Sequence, residues 1–279
     1  MARAAHARVT SRPAIRIRRK SIVRIAAVGD LHCTKTSLGN FHSMFERASS
    51  SADVLLLAGD LTDNGTPDEA RVLVKELTIV RIPIVAVLGN HDFECGKPDE
   101  VRGILADAGV NVLDGEACEV HGVGIAGVKG FCGGFGQRAL GAWGESSIKQ
   151  FVREAIDEAL KLETALARIR TVPSVALLHY SPVQGTVERE TLEIYPFLGS
   201  SRLEEPLNTY RVSLAVHGHA HRGRSEGKTI TGVPVYNVSM PLLTRTVGHA
   251  SPFRVFDVPA PEPSAIGAAK EPHSGDRRR

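Results

Sequence analysis

Apolar positions along the chain follow two rhythms that alternate. Short runs rich in branched residues, IVRIAAV (22–28), DVLLLA (53–58) and IPIVAVL (82–88), each give way to glycine and then polar residues. Runs that are continuous, with no polar residue every second position, mark strands covered on both faces, the usual state of parallel strands. Between the second and third runs lies TPDEARVLVKEL, where Thr66 can cap, Pro67 suits a first helical turn and Glu69 completes a capping box. Ala70, Leu73, Val74 and Leu77 follow as a stripe at helical spacing, so the unit reads as βαβ. A further helix is predicted after Pro98, with Val101, Ile104, Leu105 and Ala108 on one side and Gly109 ending it.

From residue 110 the pieces shorten. NVL, CEV and VGIAGV precede the glycine-rich GVKGFCGGFGQRALGAWG (127–144). A long amphipathic helix is predicted over about 145–170, carrying Ile148, Phe151, Val152, Ala155, Ile156, Ala159 and Leu166. Strands resume at VPSVALL, RVSLAV, KTIT, VPVYNV and FRVFDV. The fold class is α/β: a layered sandwich with parallel strands in the first half and a β-rich second half.

The chemistry sits at the strand ends. The runs terminate in GDLH (Asp30, His32), GDLTD (Asp60, Asp63) and GNHD (Asn90, His91, Asp92); later ones terminate in HY (His179) and HGHAH (His217, His219, His221). Taken singly, such residues are turn formers, helix caps or hydrogen-bonded histidines. Taken together they converge, because the carboxyl ends of parallel strands share one rim. Carboxylates, imidazoles and an amide gathered out of water repel or go unpaired unless a cation joins them. A mixed nitrogen and oxygen set suits manganese, iron, zinc or cobalt better than calcium. The ligands are too many for one tetrahedral ion, which points to two divalent ions sharing a carboxylate.

Asp30-x-His32, Gly59-Asp60-x-x-Asp63, Gly89-Asn90-His91-Asp92, His179 and Gly218-His219-x-His221 resemble, in order and type, the motifs of the calcineurin-like metallophosphoesterases. The resemblance implies a β-sandwich flanked by helices, α/β/β/α. It implies one metal held by Asp30, His32, Asp60 and His221, and a second held by Asp60, Asn90, His179 and His219, with Asp60 bridging. A cation pair of this kind can hold a hydroxide at neutral pH for in-line attack on phosphorus and neutralise phosphoryl charge. The leaving alkoxide needs a proton, for which His91 is the natural general acid, and Asp63 resembles the residue that orients it. The role of Asp92 is open between turn former and cap.

Departures from the pattern narrow the substrate. Asn64 follows Asp63 where protein phosphatases of this superfamily carry a phosphate-clamping arginine, which disfavours a protein phosphatase. Tyr180 stands where the cyclic-nucleotide phosphodiesterases often have a second histidine, which weakens that reading. The glycine-rich stretch lacks the GK[ST] ending of a P-loop. It is either a set of turns or a rim of the metal site, with Lys129 or Arg138 meeting phosphate and Phe131, Phe135 or Trp143 meeting an apolar or base moiety. His217 reads as a buried neighbour rather than a ligand.

Composition adds limits. The 279 residues, 42% hydrophobic, suffice for one full core, here over residues 21–258. Residues 1–20 hold seven of the 34 Lys and Arg and no acid, which leaves 27 bases against 31 acids in the remainder. The mildly acidic body disfavours a nucleic-acid surface or a nuclease, while the basic leader could meet phosphate by charge alone. The segment 259–279, rich in Pro, Ala and charge, reads as disordered. Cys33, Cys95, Cys118 and Cys132 show no CxxC spacing and read as reduced thiols. No apolar run reaches bilayer length and no signal-like apolar centre is present, so a cytoplasmic enzyme of small phosphoesters is expected. An inactive scaffold, or a nucleic-acid binder working through the leader, is the competing class.

Overall fold

Both faces of the central strands are buried, and the two faces enter different cores. The computed structural model describes residues 22–171 and 173–259. Its strands are β1 (Ile22–Val28), β2 (Val54–Ala58), β3 (Ile84–Val87), β4 (Asn111–Val112), β5 (Glu116–Val120), β6 (Val123–Val128), β7 (Ser174–Leu178), β8 (Leu214–His217), β9 (Glu226–Lys228), β10 (Pro234–Asn237) and β11 (Arg254–Pro259). The helices are α1 (His42–Ser51), α2 (Pro67–Leu77), α3 (Pro98–Asp107), α4 (Ser146–Arg168), α5 (Tyr195–Leu198), α6 (Glu204–Thr209) and α7 (Met240–Thr246).

Two sheets form, in the orders β11-β1-β2-β3-β4 and β5-β6-β7-β8-β10-β9. Ile25, Ala27, Leu56, Val85, Ile125, Val175 and Leu177 point into the space between them. The alternate residues of the first sheet, Ala26, Val28, Leu55, Leu57 and Ala86, meet Phe45 of α1, Leu73 of α2 and Leu105 of α3. Those of the second, Ala126, Val128, Ala176 and Leu178, meet Leu162 and Ala165 of α4 and Leu207 of α6. The four-layer α/β/β/α arrangement explains the unbroken apolar runs, since every position of the central strands β2, β6 and β7 is buried. Each fully buried leucine adds about 2 kcal/mol.

The βαβ unit is as expected, down to the capping box between Thr66 and Glu69. Asn64 extends that box, its main-chain N and side-chain Nδ2 each donating to the Glu69 carboxylate at 3.0 Å. The second sheet is more parallel than a β-rich half requires: β6, β7, β8 and β10 all run the same way, and only its edge strands β5 and β9 are antiparallel. The expected strand KTIT is not formed. β9 ends at Lys228, and Thr229 accepts from Gly232 in a turn whose tip, Ile230, is 88% exposed. On α4 the expected stripe holds at Val152, Ala155 and Leu166, whereas Ile156 faces solvent and Leu162 and Ala165 complete the buried face. The basic leader lies outside the described residues, as does the 259–279 segment beyond Pro259. No described helix is long and apolar enough to cross a membrane.

Candidate metal centre

The tips of β1, β2, β3, β7 and β8 meet on one rim, and main-chain bonds continue the sheet past the strand ends. Asp30 N donates to Gly59 O at 2.9 Å, His32 N to Asp60 O at 3.0 Å, and Gly218 N to His179 O at 3.1 Å. The path is strained where the chemistry lies. Asp30 (φ 57°), His32 (φ 46°), Asp60 (φ 49°) and His219 (φ 67°) all adopt left-handed backbone, which residues other than glycine rarely accept. The tips also pack without spare volume. A β-carbon on Gly218 would collide with Asp30 Oδ2 and lie 2.9 Å from Ala58 O.

Two groups of side chains gather, each with its donor atoms within 4.8 Å of one another: Asp30, His32 and His221, and Asp60, His179 and His219. Asn90 joins the second, its Oδ1 lying 2.9 Å from His179 Nε2, which is also 3.3 Å from Asp60 Oδ1. His221 Nε2 is 3.0 Å from Asp30 Oδ1, and His32 Nε2 is 3.8 Å from Asp60 Oδ2. All seven residues that the sequence assigns to metal are thus brought together. A third group, His32, Asp63 and His91, overlaps the first through His32.

Carbonyl partners fix the ring nitrogens. His179 Nδ1 donates to Ala58 O at 2.9 Å, which leaves Nε2 as the electron-pair donor facing Asp60. His219 Nε2 donates to Phe197 O at 3.1 Å, which frees Nδ1. Its main-chain N also donates to both Asp30 oxygens, at 2.9 and 3.0 Å. His91 Nδ1 donates to Asp63 O at 2.6 Å, and its main-chain N to Asp60 Oδ1 at 2.9 Å. The Asp63 carboxylate faces His32 Nδ1 instead, at 3.3 Å. Asp63 therefore steadies His91 through its main chain, and its carboxyl serves another histidine.

Asp92, left open by the sequence, is neither a cap nor a ligand. Its buried carboxylate accepts from Leu61 N (3.1 Å), Thr62 N (2.8 Å), Thr62 Oγ1 (2.6 Å) and Gly89 N (2.8 Å), and so ties the tip of β2 to that of β3. His217 has both nitrogens engaged, Nδ1 with Gly218 O at 2.7 Å and Nε2 with Thr186 Oγ1 at 2.8 Å, and has no lone pair left for an ion.

The donor set fits divalent metal. Burial, the Asp30 charge and the Asp92 charge push the Asp60 carboxyl up to about 9, so that without a cation this buried acid holds a proton. Burial lowers His219 to about 3 and His179 well below its usual value, which keeps both imidazoles neutral, the form that binds metal. Burial opposes charge on His221, but the hydrogen bond and charge of Asp30 outweigh it and raise the pKa. His32 Nε2 is buried without a hydrogen-bond partner. A buried lone pair so placed, beside two carboxylates, suits a cation.

The glycine-rich stretch does two different things. Lys129 is 9% exposed, donates to Gly130 O at 2.9 Å and lies among the rings of Phe93, Phe131 and Tyr180, so it is a structural cation rather than a phosphate ligand. Phe131 packs on Phe151 and Tyr180. Trp143 is 70% exposed, whereas Phe135 and Arg138 line a groove beside Phe197.

Residues 23–223 match the description of the calcineurin-like phosphoesterases, and the chain belongs to that family. A probable cyclic nucleotide phosphodiesterase of Synechococcus is 24% identical over 188 residues, 65% of this chain and 62% of that protein. One of the same description from Moraxella catarrhalis is 36% identical over 74 residues, 24% of this chain and 27% of that protein. The matched segment therefore spans less than two thirds of either relative. The phosphopantetheinyl hydrolase of Mycobacterium tuberculosis shares the fold, with a TM-score of 0.59 at 16% identity over 88% of this chain and 99% of that one. So does the anchor in the inner membrane complex of Plasmodium, with a TM-score of 0.51 at 12% identity over 80% and 73%. The fold thus carries hydrolytic and anchoring roles alike, and function rests on the site.

Proposed function

We propose that the protein is a hydrolase of small-molecule phosphoesters working with two divalent ions. The observation that carries this reading is the gathering of Asp30, His32 and His221, and of Asp60, Asn90, His179 and His219, on one rim, with His32 Nε2 buried and unsatisfied. Asp30, His32, Asp60 and His221 would hold one ion, and Asp60, Asn90, His179 and His219 the other, with Asp60 shared. Manganese, iron, zinc and cobalt all suit this set. Bound there, the ions supply an activated water and neutralise phosphoryl charge.

The chain's own residues do the rest. The Ala58 and Phe197 carbonyls hold His179 and His219 in the required tautomers, and the Asp63 carbonyl holds His91 through Nδ1, leaving Nε2 to carry a proton to the leaving oxygen. The strained tips keep these groups in place before substrate arrives. The free thiols fit a reducing, cytoplasmic setting.

A cyclic-nucleotide phosphodiesterase is the second reading, favoured by the description of the two relatives. Tyr180 counts against it: its ring packs on His219 at 4.5 Å, filling the position where a second histidine is often found. An inactive scaffold would tolerate loss of ligands, and none is lost. The deciding experiment is metal analysis of the purified protein with a phosphomonoester and phosphodiester panel under added manganese. Asp60→Ala and His219→Ala should each remove metal and activity together; activity that survives either loss of metal would defeat the proposal.

A further inference from the structure

One metal-ligand group lines a groove through His32, the other is tied to a second groove through a main-chain carbonyl, and the two grooves differ in chemistry. The carbonyl that holds His219 belongs to Phe197, and Phe197 lines a groove of about 420 Å³ with Phe135, Arg138, Phe151, Leu192 and Tyr195. Phe197 is 58% exposed and Leu192 is 73% exposed, so this wall offers large apolar side chains to solvent. His32, from the other group, lines a second groove of about 400 Å³ with Ser37, Asn40, Ser43, Met240 and His249. Among the described residues, no Lys, Arg, Asp or Glu lines the second groove, and the only charged side chain lining the first is Arg138.

From this geometry, and resting on the phosphoesterase reading above, we infer that the substrate is a linear phosphodiester with two unlike arms. An aromatic or apolar arm enters the Phe197 groove and a neutral, hydrogen-bonding arm such as a glycerol or nucleoside enters the Asn40 groove. A phosphomonoester has one arm and leaves a groove empty. A 3′,5′-cyclic nucleotide has both ester oxygens on one ribose and so also presents one arm. An aromatic ring can pack against Phe197 and Tyr195, and the Asn40 and Ser43 side chains supply polar partners for the other arm. In the reaction water adds to phosphorus, the P–O bond to the better leaving arm breaks, that arm departs as the alcohol or phenol, and a phosphomonoester of the other arm remains.

The test uses leaving-group-matched esters with the metal-loaded full chain: p-nitrophenyl phosphate, ethyl p-nitrophenyl phosphate and glyceryl p-nitrophenyl phosphate, with 3′,5′-cyclic AMP alongside. The glyceryl diester should exceed each of the others in kcat/KM by ten-fold or more. Asn40→Ala should reduce kcat/KM ten-fold more for the glyceryl than for the ethyl diester, through KM. Phe197→Ala, which keeps the carbonyl that holds His219, should raise KM for both aryl diesters. Preference for the monoester or the cyclic nucleotide, or equal losses on both diesters in Asn40→Ala, overturns the two-arm inference while leaving the phosphoesterase reading intact. Turnover of no ester with any divalent ion defeats the phosphoesterase reading itself.

Discussion

The Asp92 carboxylate accepts a 2.6 Å hydrogen bond from the hydroxyl of Thr62, thirty residues earlier in the chain and on a different strand tip. With the donors of Leu61, Thr62 and Gly89 on the same carboxylate, the third motif carries the brace for the second. Asp92→Ala leaves those donors buried and unpaired, and each unsatisfied group is worth about 1 to 3 kcal/mol. Urea unfolding should show a loss of roughly 3 kcal/mol or more. A change below about 1 kcal/mol would mean that the tips are braced elsewhere.

His91 and Asp63 separate two roles that sequence alone merges. His91→Ala removes the proposed acid while sparing the seven candidate ligands. Metal content should hold and turnover should fall, least for substrates whose leaving groups are already acidic. Asp63→Ala keeps the carbonyl that binds His91 Nδ1 and removes the carboxylate 3.3 Å from His32 Nδ1. It should weaken metal affinity by about 10 to 100-fold with an unchanged leaving-group dependence. Competition with a coloured chelator and a leaving-group series check the two halves, and an Asp63→Ala enzyme that behaves like His91→Ala refutes the division.

What the sequence made legible was local. The strand tips, the Thr66 to Glu69 capping box and the helix after Pro98 depend on residues within a few positions of one another. The α1 helix was not legible: Phe41 at its start makes no side-chain cap bond and the segment ends in three serines, so only the spacing of Met44, Phe45 and Ala48 marks it. Parallel pairing in the second sheet was not legible either, because partners such as Gly124 and Ser174, or Val175 and Leu214, lie far apart in the chain. Candidate ligands could be read from residue type and order. The tautomers could not, since they depend on the carbonyls of Ala58, Phe197 and Asp63, which leave no trace in residue type.

Gly218→Ala tests how tightly the first ligand group is packed. The added methyl meets Asp30 Oδ2 and the Ala58 carbonyl, and Asp30 also accepts from the His219 main chain and lies 3.0 Å from His221. The carboxylate must move while the strands, whose apolar faces are untouched, need not. Metal titration should show at least ten-fold weaker binding, with far-ultraviolet circular dichroism unchanged. Wild-type affinity would show that Asp30 is not a ligand or that the loop yields freely.

The acid at the centre gives the metal-free protein an inverted pH response. Asp60, pushed up to about 9 chiefly by burial, keeps its proton when folded across a range in which the unfolded chain, with an ordinary carboxyl, has released it. The folded state then binds more protons, so stability falls as pH rises, by up to about 1.4 kcal/mol per pH unit. His219 at about 3 and His217 at about 4 act in the opposite sense, because the unfolded chain protonates them first, but their influence ends near pH 6.5. The raised pKa of His221 adds to the fall above that point. Between pH 6.5 and 9, therefore, chelator-treated protein should lose stability steadily in urea unfolding. Protein with manganese should gain stability or hold level over the same range, because the cation takes the place of the Asp60 proton and competes with it. Parallel curves with and without metal would show that Asp60 does not exchange a proton for an ion, and the shared-carboxylate centre would fall with that result.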